Sequence, residues 1–229
     1  MEDTLTVHSS TDISPTHKIP LPYRLIRAVI RVLLSLLSKL TVTGKDNLPS
    51  SGPCILVINH LHMLDPVILM AILPFKVDVL IAEKYRKKFP IGLIVKLAGA
   101  TFVRRGEVDR KALRKCLSIL GSGSILGMSP EGTRSKTGAL QRAKSGVAYF
   151  VQKTGAPLLP IAMWGTEKVV SGWKSFRRQE VHIRIGELFT LPSPEKKLRT
   201  KDLQVLADQI MVRIADLLPE EYQGAYAHR

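Results

Sequence analysis

Short apolar runs alternate along this chain with longer segments in which apolar residues recur at helical spacing. Cys54–Ile58 is continuously apolar, which is typical of a strand buried on both faces of a sheet, and Leu158–Trp164 predicts another strand. Residues 109–120 and 201–217 show the spacing of amphipathic helices. Because strands and helices alternate with short connections, the pattern predicts an α/β fold in which helices cover a largely parallel sheet.

The remaining elements follow from the same pattern and from the positions of glycine and proline. We expect further strands at residues 40–44, 76–82, 101–103, 124–128 and 181–185, the last of these at an edge of the sheet. Further helices are expected at residues 67–73, 91–98 and 143–154. Asp65 is predicted to cap the first of these helices, and Pro66 to occupy its first position.

The segment before the first strand has a different character. Residues 1–18 are polar, lack the pattern of a signal peptide, and are expected to form a mobile tail. Residues 19–39 predict a helix with Arg24, Arg27 and Arg31 on one side and branched apolar residues on the other. The helix is too short and too charged to span a bilayer. It is typical of a helix lying in a membrane interface with its arginines toward anionic head groups, although a core helix with a basic edge would look similar.

Composition narrows the class of protein. The length suggests one domain, over residues 40–229, and the 45% hydrophobic content supplies its core. The net charge of +15 predicts an anionic partner: a membrane leaflet, a nucleotide cofactor, an acidic carrier protein or nucleic acid. Cys54 and Cys116 match no disulfide or metal pattern and are expected to be buried thiols in a reducing, cytoplasmic setting.

The strand at Cys54–Ile58 leads into a candidate site. His60 follows its carboxyl end, where open α/β sheets bind ligands, and Asp65 comes shortly after. If the loop folds back, the carboxylate would hold the imidazole tautomer and leave the other ring nitrogen free to take a proton from an alcohol. The simpler alternative is a loop histidine beside a helix cap.

A second cluster follows the strand predicted at residues 124–128. Residues 131–134 combine a carboxylate, a glycine that permits close backbone approach, a hydroxyl, and a guanidinium suited to two phosphate oxygens. Alone, this cluster would also suit a surface turn. A base in one loop and anion donors in the other together predict a site for an alcohol that carries a phosphate.

Four ordered segments of the chain resemble the motifs of the glycerolipid acyltransferases. They are Asn-His-x-x-x-x-Asp at 59–65, Phe-Val-Arg-Arg at 102–105, Pro-Glu-Gly-Thr-Arg-Ser at 130–135 and Leu-Pro-Ile at 159–161. The resemblance covers about residues 20–226 and is greatest to the bacterial 1-acyl-sn-glycerol-3-phosphate acyltransferases. It implies transfer of a fatty acyl group from acyl-CoA or acyl carrier protein to the sn-2 hydroxyl of lysophosphatidic acid, giving phosphatidic acid without a metal or other cofactor.

The resemblance also implies roles for individual residues. His60 would be the general base and Asp65 its orienting partner. The residues implied in substrate binding are Arg104, Arg105, Glu131, Gly132, Thr133, Arg134, Lys144 and Pro160. Since the carboxylate of Glu131 cannot pair with phosphate, we expect it to orient Arg134 or a lysine. The implied partners are a membrane lipid surface, lysophosphatidic acid and the acyl donor, on the cytoplasmic face of a membrane that the protein does not cross.

Two departures from the family pattern leave the acceptor and the chain length open. His62 stands where a serine is common, and Ser129 where a phenylalanine is common. A metal hydrolase is a weaker alternative, because Leu64 and Pro66 flank Asp65 where a further ligand would be needed. A basic protein that binds lipid without catalysis is a third hypothesis. Nucleic-acid binding is not expected, because aromatic residues are only 6% of the chain and no nucleic-acid module is recognisable.

Overall fold

The computed structural model of the protein describes residues 19–50, 52–89, 92, 100–103, 110–175, 177–192 and 198–228. Its strands are β1 (Ser38–Thr43), β2 (Cys54–Ile58), β3 (Val77–Ala82), β4 (Thr101–Val103), β5 (Ile125–Met128), β6 (Leu158–Trp164) and β7 (Gln179–Ile185). Within the described residues they form one sheet in the order β1-β7-β6-β2-β5-β3-β4. Neighbouring strands are parallel except for β6 and β7. The predicted α/β fold with a largely parallel sheet is confirmed.

Helices cover both faces of this sheet. In chain order they are α1 (Leu21–Leu37), α2 (Asp65–Ile72), α3 (Arg110–Gly121), α4 (Gly146–Thr154), α5 (Val169–Lys174), α6 (Thr200–Ala215) and α7 (Glu220–Gln223). Residues of α1, α2 and α5 share one apolar cluster with the sheet, and residues of α3, α4, α6 and α7 share the cluster on the opposite face. The core therefore has two layers, one on each side of the strands.

Strand β2 lies at the centre of the sheet, between β5 and β6. Ile55 and Val57 point into one apolar layer, and Leu56 and Ile58 into the other, because successive side chains of a strand alternate between faces. All five residues of the strand are buried, as its continuous apolar sequence predicts. A rigid central strand thus delivers the loop that begins at Asn59.

Three sequence-based expectations are corrected by the structure. The strand expected at an edge is β7, which instead lies between β1 and β6, because β1 adds to it in parallel along its whole length. Asp65 does not cap α2: Leu64 is at the capping position without a side-chain bond, and the Asp65 carboxylate turns back to the preceding loop. Helix α4 begins at Gly146 rather than at 143, since the Lys144 N–H is bonded to Pro130 in the loop after β5. The tail at residues 1–18 and, apart from residue 92, the helix expected at 91–98 lie outside the described residues.

Helix α1 packs on the sheet through one side only. Tyr23, Ile30 and Leu34 are buried in the core layer that it shares with α2. Arg31 donates from Nε to the Ala71 carbonyl at 2.6 Å, and Arg27 reaches the same oxygen at 3.4 Å, so these cations meet the carboxyl end of α2. The outward side carries exposed apolar residues, namely Leu21, Leu25, Val29, Val32, Leu33 and Leu36. No helix in the described part of the chain is long and apolar enough to cross a membrane.

Candidate active site

Asn59 fixes the direction in which the chain leaves β2. Its side chain is fully buried; the amide nitrogen donates to the Met163 carbonyl at 2.7 Å, and the amide oxygen accepts the Met163 N–H at 2.8 Å. The two bonds imitate one more step of strand pairing between β2 and β6. His60 therefore directly follows a residue whose side chain is fixed by two hydrogen bonds to the Met163 backbone.

His60 and Asp65 form the side-chain pair that the sequence predicts. The loop folds back so that His60 Nδ1 lies 2.9 Å from Asp65 Oδ2. The His60 side chain retains 15% of its exposure, whereas that of Asp65 is fully buried. A carboxylate acceptor places the proton on Nδ1 and leaves Nε2 as the nitrogen that can accept another proton.

The buried Asp65 carboxylate has a full set of donors. Besides His60, Oδ2 accepts the N–H groups of Leu61 and His62, each at 2.8 Å, and Oδ1 accepts the Thr166 hydroxyl at 2.6 Å. A buried carboxylate is costly unless such bonds replace its hydration. Because the backbone donors come from the loop itself, the charge of Asp65 also holds the loop in the folded-back conformation.

Thr166 is a site residue that the sequence analysis missed. It is completely buried and follows Gly165 at the carboxyl end of β6, the neighbour of β2 in the sheet. A hydroxyl at the end of an adjacent parallel strand was the available signal, because such ends meet at one edge of the sheet.

Glu131 connects the two loops of the site through bonds to His60 and Gln141, and Gln141 in turn donates to the Arg134 carbonyl at 3.1 Å. Glu131 Oε1 accepts the His60 N–H at 3.0 Å, and its Oε2 accepts the Gln141 N–H at 3.0 Å and the Gln141 amide at 3.4 Å. The side chain is 2% exposed, and burial raises the pKa of its carboxyl group although the N–H donors oppose that shift. Gln141 was also missed, since nothing in its own sequence context points to the site.

The cations of the second loop are open to solvent. Arg134 is exposed, and its Nη2 lies 3.4 Å from the Tyr85 hydroxyl. The exposed Lys144 side chain crosses over Gly132, whose φ of +66° suits glycine; a Cβ there would lie 3.0 Å from Lys144 Cδ. Lys144 and Gly132 therefore lie together, whereas Arg104 and Arg105 are outside the described residues.

A cavity of about 290 Å³ opens beside His60. His60, Gly132 and Thr133 contribute to its lining. The apolar part of the lining comes from α1, α2 and strands β2, β3 and β5, and includes Leu56, Ile58, Val67, Met70, Val79 and Met128. Pro160, which was expected to shape this pocket, instead lies among the paired residues of β6, packed against Gly186.

The two departures from the family pattern both lie at this site. Ser129 lines the cavity, and within the described residues its buried hydroxyl has no hydrogen-bond partner. His62 is half-buried, accepts the Leu64 N–H at 3.4 Å on Nδ1, and has its pKa lowered chiefly by burial. Among the described residues no group of three or more His, Cys, Asp or Glu side chains is placed to hold a metal ion.

Comparisons with known proteins place both loops within a segment that matches one family. The sequence profile of the acyltransferase family matches residues 39–164, which include both loops. A 1-acyl-sn-glycerol-3-phosphate acyltransferase of Borreliella burgdorferi is 30% identical over 152 residues, covering 64% of this chain and 60% of that protein. One of Bacillus subtilis is 27% identical over 203 residues, covering 82% of this chain and 100% of that protein.

A solved structure has the same fold. The crystal structure of the 1-acyl-sn-glycerophosphate acyltransferase PlsC from Thermotoga maritima superposes with a TM-score of 0.67 at 24% identity. The match covers 85% of this chain and 78% of that one. At this identity the likeness concerns the fold, so the roles of individual residues depend on the geometry described above.

Proposed function

We propose that this chain, which belongs to the acyltransferase family, transfers a fatty acyl group from a thioester to the sn-2 hydroxyl of 1-acyl-sn-glycerol 3-phosphate. The product would be phosphatidic acid. The donor would be acyl-CoA or acyl carrier protein, with no metal or other cofactor. The observation that carries the proposal is the 2.9 Å contact between His60 and the buried Asp65 at the mouth of an apolar cavity.

In the proposed reaction His60 acts as a general base. Its Nε2 takes the proton of the acceptor hydroxyl while the hydroxyl oxygen attacks the thioester carbonyl carbon. The resulting tetrahedral intermediate breaks the carbon–sulfur bond, and the departing sulfur receives the proton from His60. Asp65 stabilises the imidazolium during this sequence without itself changing protonation. The histidine is thereby restored for the next turnover.

The second loop would hold the acceptor phosphate. Arg134 and Lys144 are exposed on the side of the cavity where Gly132 and Thr133 lie, so a phosphate there would gain charge-assisted hydrogen bonds without displacing a protein carboxylate. The apolar lining is suited to a fatty acyl chain. Arg104 or Arg105 would add to the acceptor or donor site, as the family motif implies.

A membrane surface would supply the lipid substrate. The outward side of α1 exposes six large apolar side chains by 49–64%, and its buried Tyr23 lines the cavity. The helix therefore joins an apolar outer surface to the proposed acyl-chain site, as expected of a helix that lies in a bilayer interface. Arg24 is exposed beside this surface and would meet anionic head groups, whereas Arg27 and Arg31 are also engaged with α2. The protein would then be peripheral or monotopic on the cytoplasmic face.

A direct assay tests the reaction. Purified protein is given one labelled acyl donor, as acyl-CoA or acyl carrier protein, and vesicles that contain one acceptor, with products identified by mass. The acceptors are lysophosphatidic acid, glycerol 3-phosphate and lysophosphatidylcholine. We expect phosphatidic acid from the first. Preference for another acceptor would reassign the substrate within the family, and absence of product from every combination would favour lipid binding without catalysis.

His60→Ala with His62→Ala as the matched control tests the base. We expect the first variant to lose transfer by at least about 1,000-fold and the second to keep it within about tenfold. Both variants should still sediment with vesicles. Full activity of His60→Ala would contradict the assignment of the base.

A further inference from the structure

The outward side of helix α5 presents an unusual surface. Val170 and Trp173 are three residues apart, so they lie on one side of the helix, and they are 38% and 59% exposed. Trp is on average one of the more buried residue types, and this one has no ring partner among the aromatic pairs of the described residues. The helix therefore displays an aliphatic and an indole side chain to its surroundings.

Basic residues surround these two side chains. Residues 168–179 contain Lys168, Lys174, Arg177 and Arg178 and no Asp or Glu. All four cations are exposed. Arg178 also donates to the Ser38 carbonyl at 2.9 Å, where α1 passes into β1, so the basic segment is attached to the end of α1. The surface thus combines an indole with four exposed cations, and Glu167 and Glu180 flank the segment.

Helix α5 faces the same way as α1. Val169 is buried in the apolar layer that contains Tyr23, Ile30 and Leu34 of α1, and the two helices are in contact. Their outward sides consequently point away from the same face of the sheet. One of these sides is apolar along its length, and the other is aromatic and basic.

We propose that Val170, Trp173, Lys174 and Arg177 form a second contact with an anionic bilayer, separate from that of α1. Trp173 would lie at the level of the lipid head groups, where indole rings concentrate, and the two cations would meet lipid phosphates. This inference rests on the proposed membrane-surface function. Charge complementarity selects an anionic bilayer as the occupant, and the apolar side of α1, on the same face of the sheet, would supply the first contact. Two contacts would fix the rotation of the domain on the membrane, and with it the direction in which the cavity opens.

Tryptophan fluorescence tests the contact directly, because the chain has only Trp164 and Trp173. Trp164→Phe leaves Trp173 as the reporter, and Trp173→Phe leaves Trp164, which is stacked on His182, as the control. Vesicles of phosphatidylcholine with phosphatidylglycerol should shift the Trp173 emission to the blue, and brominated lipid should quench it more strongly than it quenches Trp164. Unchanged Trp173 emission on vesicles that sediment the protein would overturn the second contact while leaving the α1 contact and the acyl transfer standing.

A charge reversal gives an independent measurement. Lys174→Glu with Arg177→Glu should weaken partition onto phosphatidylglycerol vesicles by at least about tenfold. The matched control is Arg114→Glu with Lys115→Glu on α3, which changes the net charge equally on the opposite face of the sheet. Equal weakening by both pairs would show attraction by net charge alone and would overturn the proposal. Failure of the wild-type protein to bind any vesicle would overturn both this contact and the membrane part of the proposed function, whereas the assay of His60→Ala in detergent micelles tests the chemistry separately.

Discussion

The two loops of the candidate site hold their polar groups in opposite ways. In the loop after β2, the Asp65 carboxylate is fully buried and accepts four hydrogen bonds from within the protein. In the loop after β5, Arg134 and Lys144 are exposed beside the cavity. The first loop is therefore organised by bonds within the protein, and the proposed phosphate site of the second would be completed only by a bound anion.

Physical chemistry accounts for the difference. A general base must be held in one tautomer and one orientation, which demands buried and fully bonded partners. Cations that bind phosphate must remain free to exchange water for ligand oxygens, so burial and internal pairing would oppose their task. Glu131 is part of the second loop in the sequence. Like Asp65 in the first loop, however, it is buried and accepts backbone N–H groups, including that of His60.

Asp65→Asn should reduce activity more than any other change to the two loops. A carboxamide has one oxygen, so its NH2 group would face donors that the second carboxylate oxygen now accepts, and the tautomer of His60 would no longer be fixed. We expect kcat to fall by about 1,000-fold or more. Steady-state assays with lysophosphatidic acid measure the loss, and circular dichroism checks the fold. A folded variant within about tenfold of wild type would show that the first loop is not organised for catalysis.

Glu131→Gln should reduce activity by the next largest amount, because Glu131 joins the two loops. The amide can keep one N–H acceptor but presents its own N–H groups to the other, so the bond to His60 or that to Gln141 is lost. An unsatisfied buried N–H costs about 1–3 kcal/mol. We expect a lower midpoint of urea unfolding and a fall in kcat of about 10- to 100-fold. Glu131→Asp is the control that keeps the charge and shortens the reach. An unchanged kcat for Glu131→Gln would make the carboxylate dispensable to the position of His60.

The sequence was informative where chemistry and periodicity coincided. The continuous apolar run of β2 predicts a strand buried on both faces with a loop at its carboxyl end, and His60 and Asp65 meet there as their spacing suggests. Thr166 and Gln141 could not be found in the same way, because Thr166 reaches the site through strand order and Gln141 through the folding of the loop after β5. The bonds of Glu131 were not predicted, since two of its three donors are backbone N–H groups, which every sequence contains. The expectation that β7 lies at an edge was wrong, because the parallel pairing of β1 with β7 depends on the whole sheet.

Thr166→Val tests a single hydrogen bond to the first loop, the one that Asp65 accepts from Thr166. The substitution keeps the shape and removes the donor to Asp65 Oδ1, whereas Thr166→Ser keeps the hydroxyl and removes a methyl group. A hydrogen bond to a charged group contributes about 1.5–3 kcal/mol. Part of this free energy helps to hold Asp65 and His60 in place for catalysis, so we expect kcat to drop about tenfold in the valine variant. The KM for lysophosphatidic acid should stay nearly constant, because the proposed site of the acceptor phosphate is in the other loop. If serine and valine reduce kcat equally, packing rather than the hydroxyl would be responsible.

Tyr226→Phe should have the smallest effect on activity and shows how the second loop is supported from a distance. The Tyr226 hydroxyl donates to Asp208 at 2.6 Å and accepts the Ala143 N–H at 3.0 Å, close to Gln141, which is bonded to Glu131.

Burial, followed by the hydrogen bond to Asp208, raises the pKa of Tyr226 to about 12 from its ordinary 10.0. A raised pKa in the folded state means that the contribution of this tyrosine to stability is complete below pH 10 and is lost as the pH approaches about 12. Phenylalanine should therefore lower the free energy of unfolding near neutral pH by about 1–3 kcal/mol and make its decline with alkali shallower. Tyr222, whose pKa is likewise raised to about 12, should keep part of that decline. Urea unfolding on both sides of pH 10 measures the change, and a variant with wild-type stability at every pH would mean that the C-terminal segment does not support this loop.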